Sequence, residues 1–330
     1  MKLLLVTDAW KPQVNGVVRS YINTIPELEK IGMDVQVIHH ELFKLRFSLP
    51  SYNEIKIVVT RQKTLKNMIK SANADHIHIA TEGPLGFLAR NICLKDDITF
   101  TTSFHTRFPE YIQKRTKIPA SFFYFFIRKF HNKAKKVLVP TPSMQEELIK
   151  RKFKNTEIWS RGVNHEKFSK FNKLNLGKGP IFSYIGRVAT EKNVEAFLKI
   201  KIDGTKVVVG DGPQLNSLKK KYPDVNYVGY QHGQDLVDYY ASSDVMVFPS
   251  LTDTFGNVIT EANATGTPVA AFNVIGPKDI IVNGINGYIG DDLKSNILNC
   301  INLDRTKCQE YTKKFNWKEC SRVFYDNVVA

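Results

Sequence analysis

At 330 residues the chain is long enough for two domains, each with a full core. Its 42% hydrophobic and 24% charged content is that of a globular protein, and no apolar run approaches the roughly 18 residues of a membrane-spanning helix. The net charge of +15 is concentrated: residues 1–168 carry 28 Lys+Arg against 15 Asp+Glu (+13), while residues 169–330 carry 19 against 17 (+2), so the first half suits an anionic partner.

The opening MKLLLVTDAW reads as a strand, Lys2–Val6, and not as a signal peptide. The loop Lys11–Gly16 leads to a helix from about Val17 to Ile31, and Asp34–His39 is a second strand. Arg61–Ser71 is a short basic helix, His76–Ala80 a strand, Pro84–Cys93 a helix, Ile98–Ser103 a strand, Pro119–Lys135 a long helix and Val137–Pro140 a strand. The polar stretch after Gly162 has no clear period and is expected to link the domains. A second alternation follows: strand Ile181–Ile185, helix Val194–Ile200, strand Lys206–Val209, helix Gln214–Lys220, strand Val225–Val228, helix Asp235–Ser242 and strand Val245–Pro249. It continues with a helix from Asn257 to Ala264 and a strand Val269–Ala271, and ends in a helical stretch, Cys308–Val328. Near-continuous apolar strands alternating with helices predict an α/β architecture of two doubly wound parallel sheets facing a cleft, with ligands at the carboxyl ends of the strands. The expected boundaries are a first domain over 1–163, a linker over 164–179, a second domain over 180–310 and a C-terminal helix over 311–330 that can cross back to the first domain.

The most informative stretch is Ser250–Pro268, SLTDTFGNVITEANATGTP. It follows a buried strand, turns at Thr254-Phe255-Gly256 and enters a helix, whose N-terminal amides and positive dipole end suit a diphosphate. Asp253 lies before the turn, and Glu261 lies roughly 7–8 Å of helical rise beyond it, where a carboxylate takes hydroxyls and not phosphate. A hydroxyl–phosphate–hydroxyl ligand is a nucleotide-sugar; taken alone, the stretch also reads as an ordinary strand–turn–helix with a glycine for the turn. Arg187 and Lys192, after the strand Ile181–Ile185, are placed to neutralise a diphosphate, with plain surface charge as the alternative reading of the pair alone, and Gly16 lets backbone approach a ligand. His105 follows a strand and suits either a structural or a functional role.

Other chemistries lack their signatures. The chain has no Gly-x-Gly-x-x-Gly, no Walker-type loop, no Gly-x-Ser-x-Gly and no Asp-x-Asp to hold a magnesium–diphosphate. Cys93, Cys300, Cys308 and Cys320 form no Cys-x-x-Cys pair and read as reduced, mostly buried thiols. Two segments combine bases with apolar residues. In SFFYFFIRKFHNKAKK, from Ser121, most of Phe122, Phe123, Tyr124, Phe125, Phe126 and Phe130 are assigned to a core, with a membrane interface as the alternative. Arg61, Lys63, Lys66 and Lys70, beside Leu65, Met68 and Ile69, form the cleaner amphipathic basic segment, a membrane face or a solvated one.

Taken together, PQVNGVVRS, HIATEGPLG, TSFHTRFPEY, WSRGVNHEKF, YIGRVATEKN, VVGDGP and SLTDTFGNVITEANATGTP occur in the order of one family over nearly the whole chain. The chain resembles the retaining glycosyltransferases of family 4 with the GT-B fold, in the branch of glycolipid glucosyl-, sulfoquinovosyl- and mannosyltransferases. The resemblance implies that Asn15 and Gly16 approach the donor diphosphate from the first domain and that Arg187 and Lys192 hold it from the second. Thr254, Phe255, Gly256, Asn257 and Val258 would supply backbone amides, Glu261 would bind the ribose, and Tyr230 would border the base. Asp253 would lie by the transferred sugar, where the family motif more often has Glu, and His105 would sit near the reacting centre. Thr81, Glu82, Gly83, Arg107 and Tyr111 would face the acceptor.

These readings imply a cytoplasmic enzyme, peripheral on the membrane, that moves a hexose from a UDP-glucose-like donor to a lipid acceptor such as diacylglycerol, without metal or cofactor. A GDP-mannose donor, a soluble or polysaccharide acceptor, and a sugar-nucleotide epimerase on the same fold are the alternatives. No nucleic-acid module is readable.

Overall fold

The computed structural model describes residues 1–49 and 52–330. Contacts divide the chain into two units, Met1–Arg161 with Trp317–Ala330, and Gly162–Asn316.

The first unit is built on a six-stranded sheet ordered Asp34–His39, Lys2–Thr7, His76–Ile79, Thr101–Ser103, Val137–Val139, Thr156–Ile158. All its pairings are parallel. The chain leaves Lys2–Thr7 to add Asp34–His39 on one side, then returns to add His76–Ile79 on the other. The loops after Lys2–Thr7 and His76–Ile79 therefore diverge at a topological switch point, where ligands of such sheets bind. Helix Gly16–Lys30 covers one face and packs against the terminal helix Trp317–Val329; Leu3, Leu5, Tyr21, Leu28, Trp159, Phe324 and Val328 share that core.

The second unit repeats the scheme with the strand order Asn226–Gly229, Thr205–Val209, Ile181–Ile185, Val245–Phe248, Val269–Phe272, Gly287–Gly290, again all parallel. Successive residues of one strand feed opposite cores: Ile181 and Ile185 pack on one face, Phe182 and Tyr184 on the other. This is why the strand reads as an unbroken apolar run rather than an alternating one. Its switch point lies between Ile181–Ile185 and Val245–Phe248.

Several expectations are corrected. The stretch 164–179 is not a linker: it holds a helix, His165–Ser169, capped by Asn164. Phe168 is buried and Phe171 and Leu176 pack against the second unit's core, while the Asn172 and Leu174 amides donate to Asp238 and Ser242. The expected single helix Cys308–Val328 is two, Arg305–Thr312 and Trp317–Val329, which belong to different units. The strand expected at Ile98–Ser103 shortens to Thr101–Ser103. The long helix expected from Pro119 is Ala120–His131, preceded by a helix Phe108–Thr116 that accommodates Pro109 in its first turn. An antiparallel hairpin, Arg46–Leu49 with Tyr52–Val58, was not anticipated, nor were helices Pro142–Lys150 and Leu293–Cys300.

The aromatic helix Ala120–His131 is also corrected. Tyr124 and Phe130 are buried and Phe123 is half-buried, but Phe122, Phe125 and Phe126 are 55%, 42% and 47% exposed. Only the face bearing Ala120, Tyr124, Ile127 and His131 is covered, so the helix lies on the outside of its unit. The basic segment forms helix Gln62–Ala72, with Leu65 and Ile69 buried; Lys63 and Lys70 are exposed, Arg61 caps the helix by backbone alone, and Lys66 pairs with Asp96 at 2.6 Å. All four cysteines are buried and free. No helix among the described residues is long and apolar enough to cross a membrane.

Candidate functional site

In the second unit the loop after Val245–Phe248 reaches Gly256, whose φ of +98° places it in the left-handed region. Its backbone calls for glycine, and a Cβ there would also press on Ile259 Cδ1 at 2.9 Å. Helix Asn257–Ala264 starts at once, with no side-chain cap and no acidic residue in its first turn. Its leading amides therefore lack a capping side chain, an arrangement that suits an anion. Phe255 is buried and packs on Phe315, so it anchors the turn and offers a ligand only its backbone.

The adjacent loop, after Ile181–Ile185, is stapled to this one. Ser250 and Thr252 hydroxyls donate to the Glu191 carbonyl at 3.3 and 3.4 Å, and Asn193 Nδ2 donates to the Pro249 carbonyl at 3.0 Å. Asn193 itself sits at φ +54°, turning the chain out of the short helix Thr190–Lys192. These ties bring Lys192 Nζ to 2.5 Å from Asp253 Oδ1, although the two are 61 residues apart. Asp253 Oδ2 is buried and makes no hydrogen bond, so one carboxylate oxygen remains to accept a donor. Arg187 is held at the head of the same loop by the Tyr184 hydroxyl, which donates to its carbonyl at 2.6 Å. Behind it, a Cβ at Gly210 would lie 1.9 Å from the Gly186 carbonyl, and one at Gly212 2.3 Å from that of Val188. The glycines of VVGDGP thus let two strand-end loops lie back to back. Glu261, one turn into the helix, is oriented by the Tyr240 hydroxyl at 2.8 Å. Tyr230 is exposed and stacks on His232 at 6.1 Å.

In the first unit the switch-point loops are joined by Asp8. Its carboxylate accepts from the amides of Leu85 (2.9 Å) and Gly86 (3.2 Å) at the start of helix Pro84–Lys95 and from the Thr81 hydroxyl (2.9 Å). Burial raises the Asp8 pKa above the usual carboxylate value, and these hydrogen bonds oppose the shift. A Cβ at Gly83 would lie 2.3 Å from the Asp8 carboxyl carbon, which explains the glycine. Of the residues expected on the acceptor side, Thr81 is thus committed to Asp8, and Glu82 to His131 Nε2 at 3.0 Å. Arg107 pairs with Glu110 at 2.7 Å beside the half-buried Tyr111, and the Tyr124 hydroxyl donates to the same carboxylate. Asn15 caps the helix Gly16–Lys30, accepting from the Val18 amide at 3.0 Å, so its side-chain oxygen serves the helix and Gly16 is its first residue.

His105 belongs to a buried network that sequence reasoning missed. Its Nε2 lies 3.0 Å from the Tyr21 hydroxyl, which also reaches His78 Nε2 (3.0 Å) and Ser103 Oγ (3.1 Å). Its Nδ1 lies 3.0 Å from Arg161 Nη2. A guanidinium has only donors, so Nδ1 accepts, and the neutral ring carries its proton on Nε2. Burial holds His105 well below its ordinary pKa, with the Arg161 charge adding to the effect; burial likewise pushes His78 down to about 3. Arg161 is itself buried, its pKa lowered by burial to about 10, and donates to the carbonyls of Trp159 and Ser160. Asp8 directly after the first strand and Arg161 within WSRG were the available sequence signals; Tyr21 and His78 had none.

Comparison with known proteins follows this division. The profile described as Glycosyltransferase Family 4 matches residues 14–167, and that described as Glycosyl transferases group 1 matches residues 179–302. A GDP-mannose-dependent alpha-mannosyltransferase of Corynebacterium glutamicum is 28% identical over 318 residues, covering 88% of this chain and 77% of that one. The sulfoquinovosyl transferase of Arabidopsis thaliana is 26% identical over 92% of this chain and 68% of its own. An alpha-monoglucosyldiacylglycerol synthase of Acholeplasma laidlawii is 26% identical over 82% and 79%. The crystal structure of Anabaena HepE in complex with UDP-glucose superposes with a TM-score of 0.75 at 16% identity, over 99% of this chain and 98% of that one. With a family 4 profile over its first half and a group 1 profile over its second, the chain belongs to the glycosyltransferases of family 4 type, with the GT-B fold.

Proposed function

We propose that this glycosyltransferase moves a hexose from a nucleoside diphosphate sugar to a lipid hydroxyl such as that of diacylglycerol, with retention at the anomeric carbon. The observation that carries the reading is the uncapped helix start at Gly256, flanked by Lys192–Asp253 on one side and Tyr240–Glu261 on the other. A hydroxyl-binding carboxylate, an anion site with its cation and a second carboxylate occur there in the order of sugar, diphosphate and ribose. A diphosphate competes with Asp253 for Lys192 and thereby releases the carboxylate to accept sugar hydroxyls. As the sugar–phosphate bond breaks, negative charge gathers on the leaving diphosphate, where Arg187, Lys192 and the helix amides offset it.

The acceptor oxygen forms the new bond to the anomeric carbon, and its proton passes to the departing phosphate oxygen. The structure supports this route in one respect: both nitrogens of His105 are engaged by Tyr21 and Arg161, so the ring is not set up as a base. The lipid acceptor is supported by the likeness to the diacylglycerol and sulfoquinovosyl enzymes. A GDP-mannose donor is the second reading, favoured by the likeness to the mannosyltransferases of Corynebacterium glutamicum and Mycolicibacterium smegmatis.

The test is a panel of labelled UDP-glucose, UDP-sulfoquinovose and GDP-mannose with detergent-dispersed diacylglycerol, the product anomer read by NMR. An α-linked glycolipid from one donor is expected. Transfer only to soluble acceptors, or a β product, overturns the respective part of the proposal.

A further inference from the structure

The helix Ala120–His131 divides its residues sharply. Ala120, Tyr124, Ile127 and His131 point into the first unit and are buried, whereas Phe122, Phe125 and Phe126 stand on the opposite face, about half exposed. Their rings form one continuous patch: Phe122 lies 5.2 Å from Phe126 and 5.4 Å from Phe123, and Phe125 lies 5.4 Å from Phe126. Ile118, just before the helix, is also 43% exposed. Three exposed phenylalanines in contact on one helix face are not the scattered apolar residues of an ordinary surface.

The surroundings select the occupant. Lys129 lies on the same face with its Nζ 4.3 Å from the centre of the Phe125 ring, and Arg128 is 5.8 Å from that ring. Among the basic residues near the patch in sequence, Lys117, Lys129, Lys133 and Lys135 are exposed, while Lys136 is paired with Glu157 at 2.6 Å. A protein partner with an apolar pocket does not need that charge; an anionic bilayer uses both parts, the rings entering the acyl boundary while flanking bases stay at headgroup level. We propose that the Phe122–Phe125–Phe126 face of helix Ala120–His131 is the element by which the first unit docks on an anionic lipid bilayer.

This deepens the lipid-acceptor reading and rests on it for the need of a bilayer. It also separates two segments. Helix Gln62–Ala72 offers charge alone, because Leu65 and Ile69 are buried and Lys66 is tied to Asp96. It attracts from a distance but has little to insert. The aromatic helix supplies insertion.

The full chain is floated with vesicles of phosphatidylcholine alone and of phosphatidylcholine with an equal share of phosphatidylglycerol, at low and high salt. Wild type is compared with Phe122→Ser/Phe125→Ser/Phe126→Ser and with Lys63→Gln/Lys66→Gln/Lys70→Gln. Binding to the anionic vesicles is expected, with the aromatic triple variant at least roughly tenfold weaker at every salt concentration. The lysine variant is expected to lose binding mainly at low salt, where long-range attraction acts. Unchanged thermal melting and unchanged transfer to detergent-dispersed acceptor show that the aromatic variant is folded and its chemistry intact. Equal vesicle binding by wild type and the aromatic variant overturns the proposal. So does a wild type that ignores vesicles but self-associates through a contact that the variant abolishes. In either case glycolipid formation from dispersed acceptor still stands or falls by itself, so failure of docking is distinguished from failure of the proposed function.

Discussion

Acidification is expected to destabilise the first unit through His78 well before its carboxylates titrate. His78 is fully buried between strands, with Nδ1 at 2.8 Å from Thr101 Oγ1 and Nε2 at 2.9 Å from Ser103 Oγ, against the Phe324 ring. Burial, reinforced by the neighbouring His131, lowers its pKa to about 3, against about 6.5 in the unfolded chain. Between those values the unfolded state binds more protons, so stability is fully present above about pH 6.5 and falls as pH drops toward 3. At about 1.4 kcal/mol per pH unit, His78 alone removes about 2 kcal/mol between pH 7.5 and pH 5. His105, His39 and His40 are also shifted down and add in the same direction. Asp96, with its pKa lowered by Lys66, counts only in the carboxylate range; Asp8, shifted up, acts with opposite sign just above its ordinary value. Trp10, Trp159 and Trp317 are the chain's three tryptophans and all lie in the first unit, so tryptophan fluorescence in urea reports that unit. The midpoint should fall steadily from pH 7.5 to 5, and His78→Gln, whatever its own stability, should show a shallower slope. A flat wild-type profile, or an unaltered slope in the variant, would refute the assignment of a buried neutral His78.

Arg187→Ala and Lys192→Ala should each lower turnover by about 10²-fold at saturating donor, as loss of one charge-stabilising group commonly does; near-wild-type rates for both would remove them from the diphosphate. Exhaustive chelation should leave activity intact, because the chain offers Arg187, Lys192 and a helix N-terminus to the phosphates; activity abolished by EDTA and restored by magnesium or manganese would contradict this. Gly83→Ala should cost about 1–3 kcal/mol in urea denaturation followed by tryptophan fluorescence, since its Cβ would overlap the Asp8 carboxylate that caps helix Pro84–Lys95. An unchanged midpoint there would mean that Asp8 moves aside at no cost.

Local order was readable along the chain. Strand Ile181–Ile185 and helix Asn257–Ala264 fall where apolar runs, turn residues and helix period placed them, because each is specified by its own few residues. The uncapped helix start at Gly256 was legible for the same reason: strand, turn and helix start are contiguous. Partners distant in sequence were not legible. Lys192 meets Asp253 across 61 residues and Asp8 meets Thr81 across 73, and both contacts exist because strand order places their loops at a switch point. The clamp of Tyr21 and Arg161 on His105 likewise needed the first helix, the fourth strand of the sheet and the last strand's exit to converge. Residues 313–316 divide what periodicity read as one helix, since Cys308 and Thr312 bury on one core and Phe324 and Val328 on another. In the aromatic helix the sequence determined two opposed faces, Tyr124 with Ile127 and Phe122 with Phe125 and Phe126. A period of 3.6 fixes which residues share a face; only tertiary packing decides which face is covered, and here it left the phenylalanines outside.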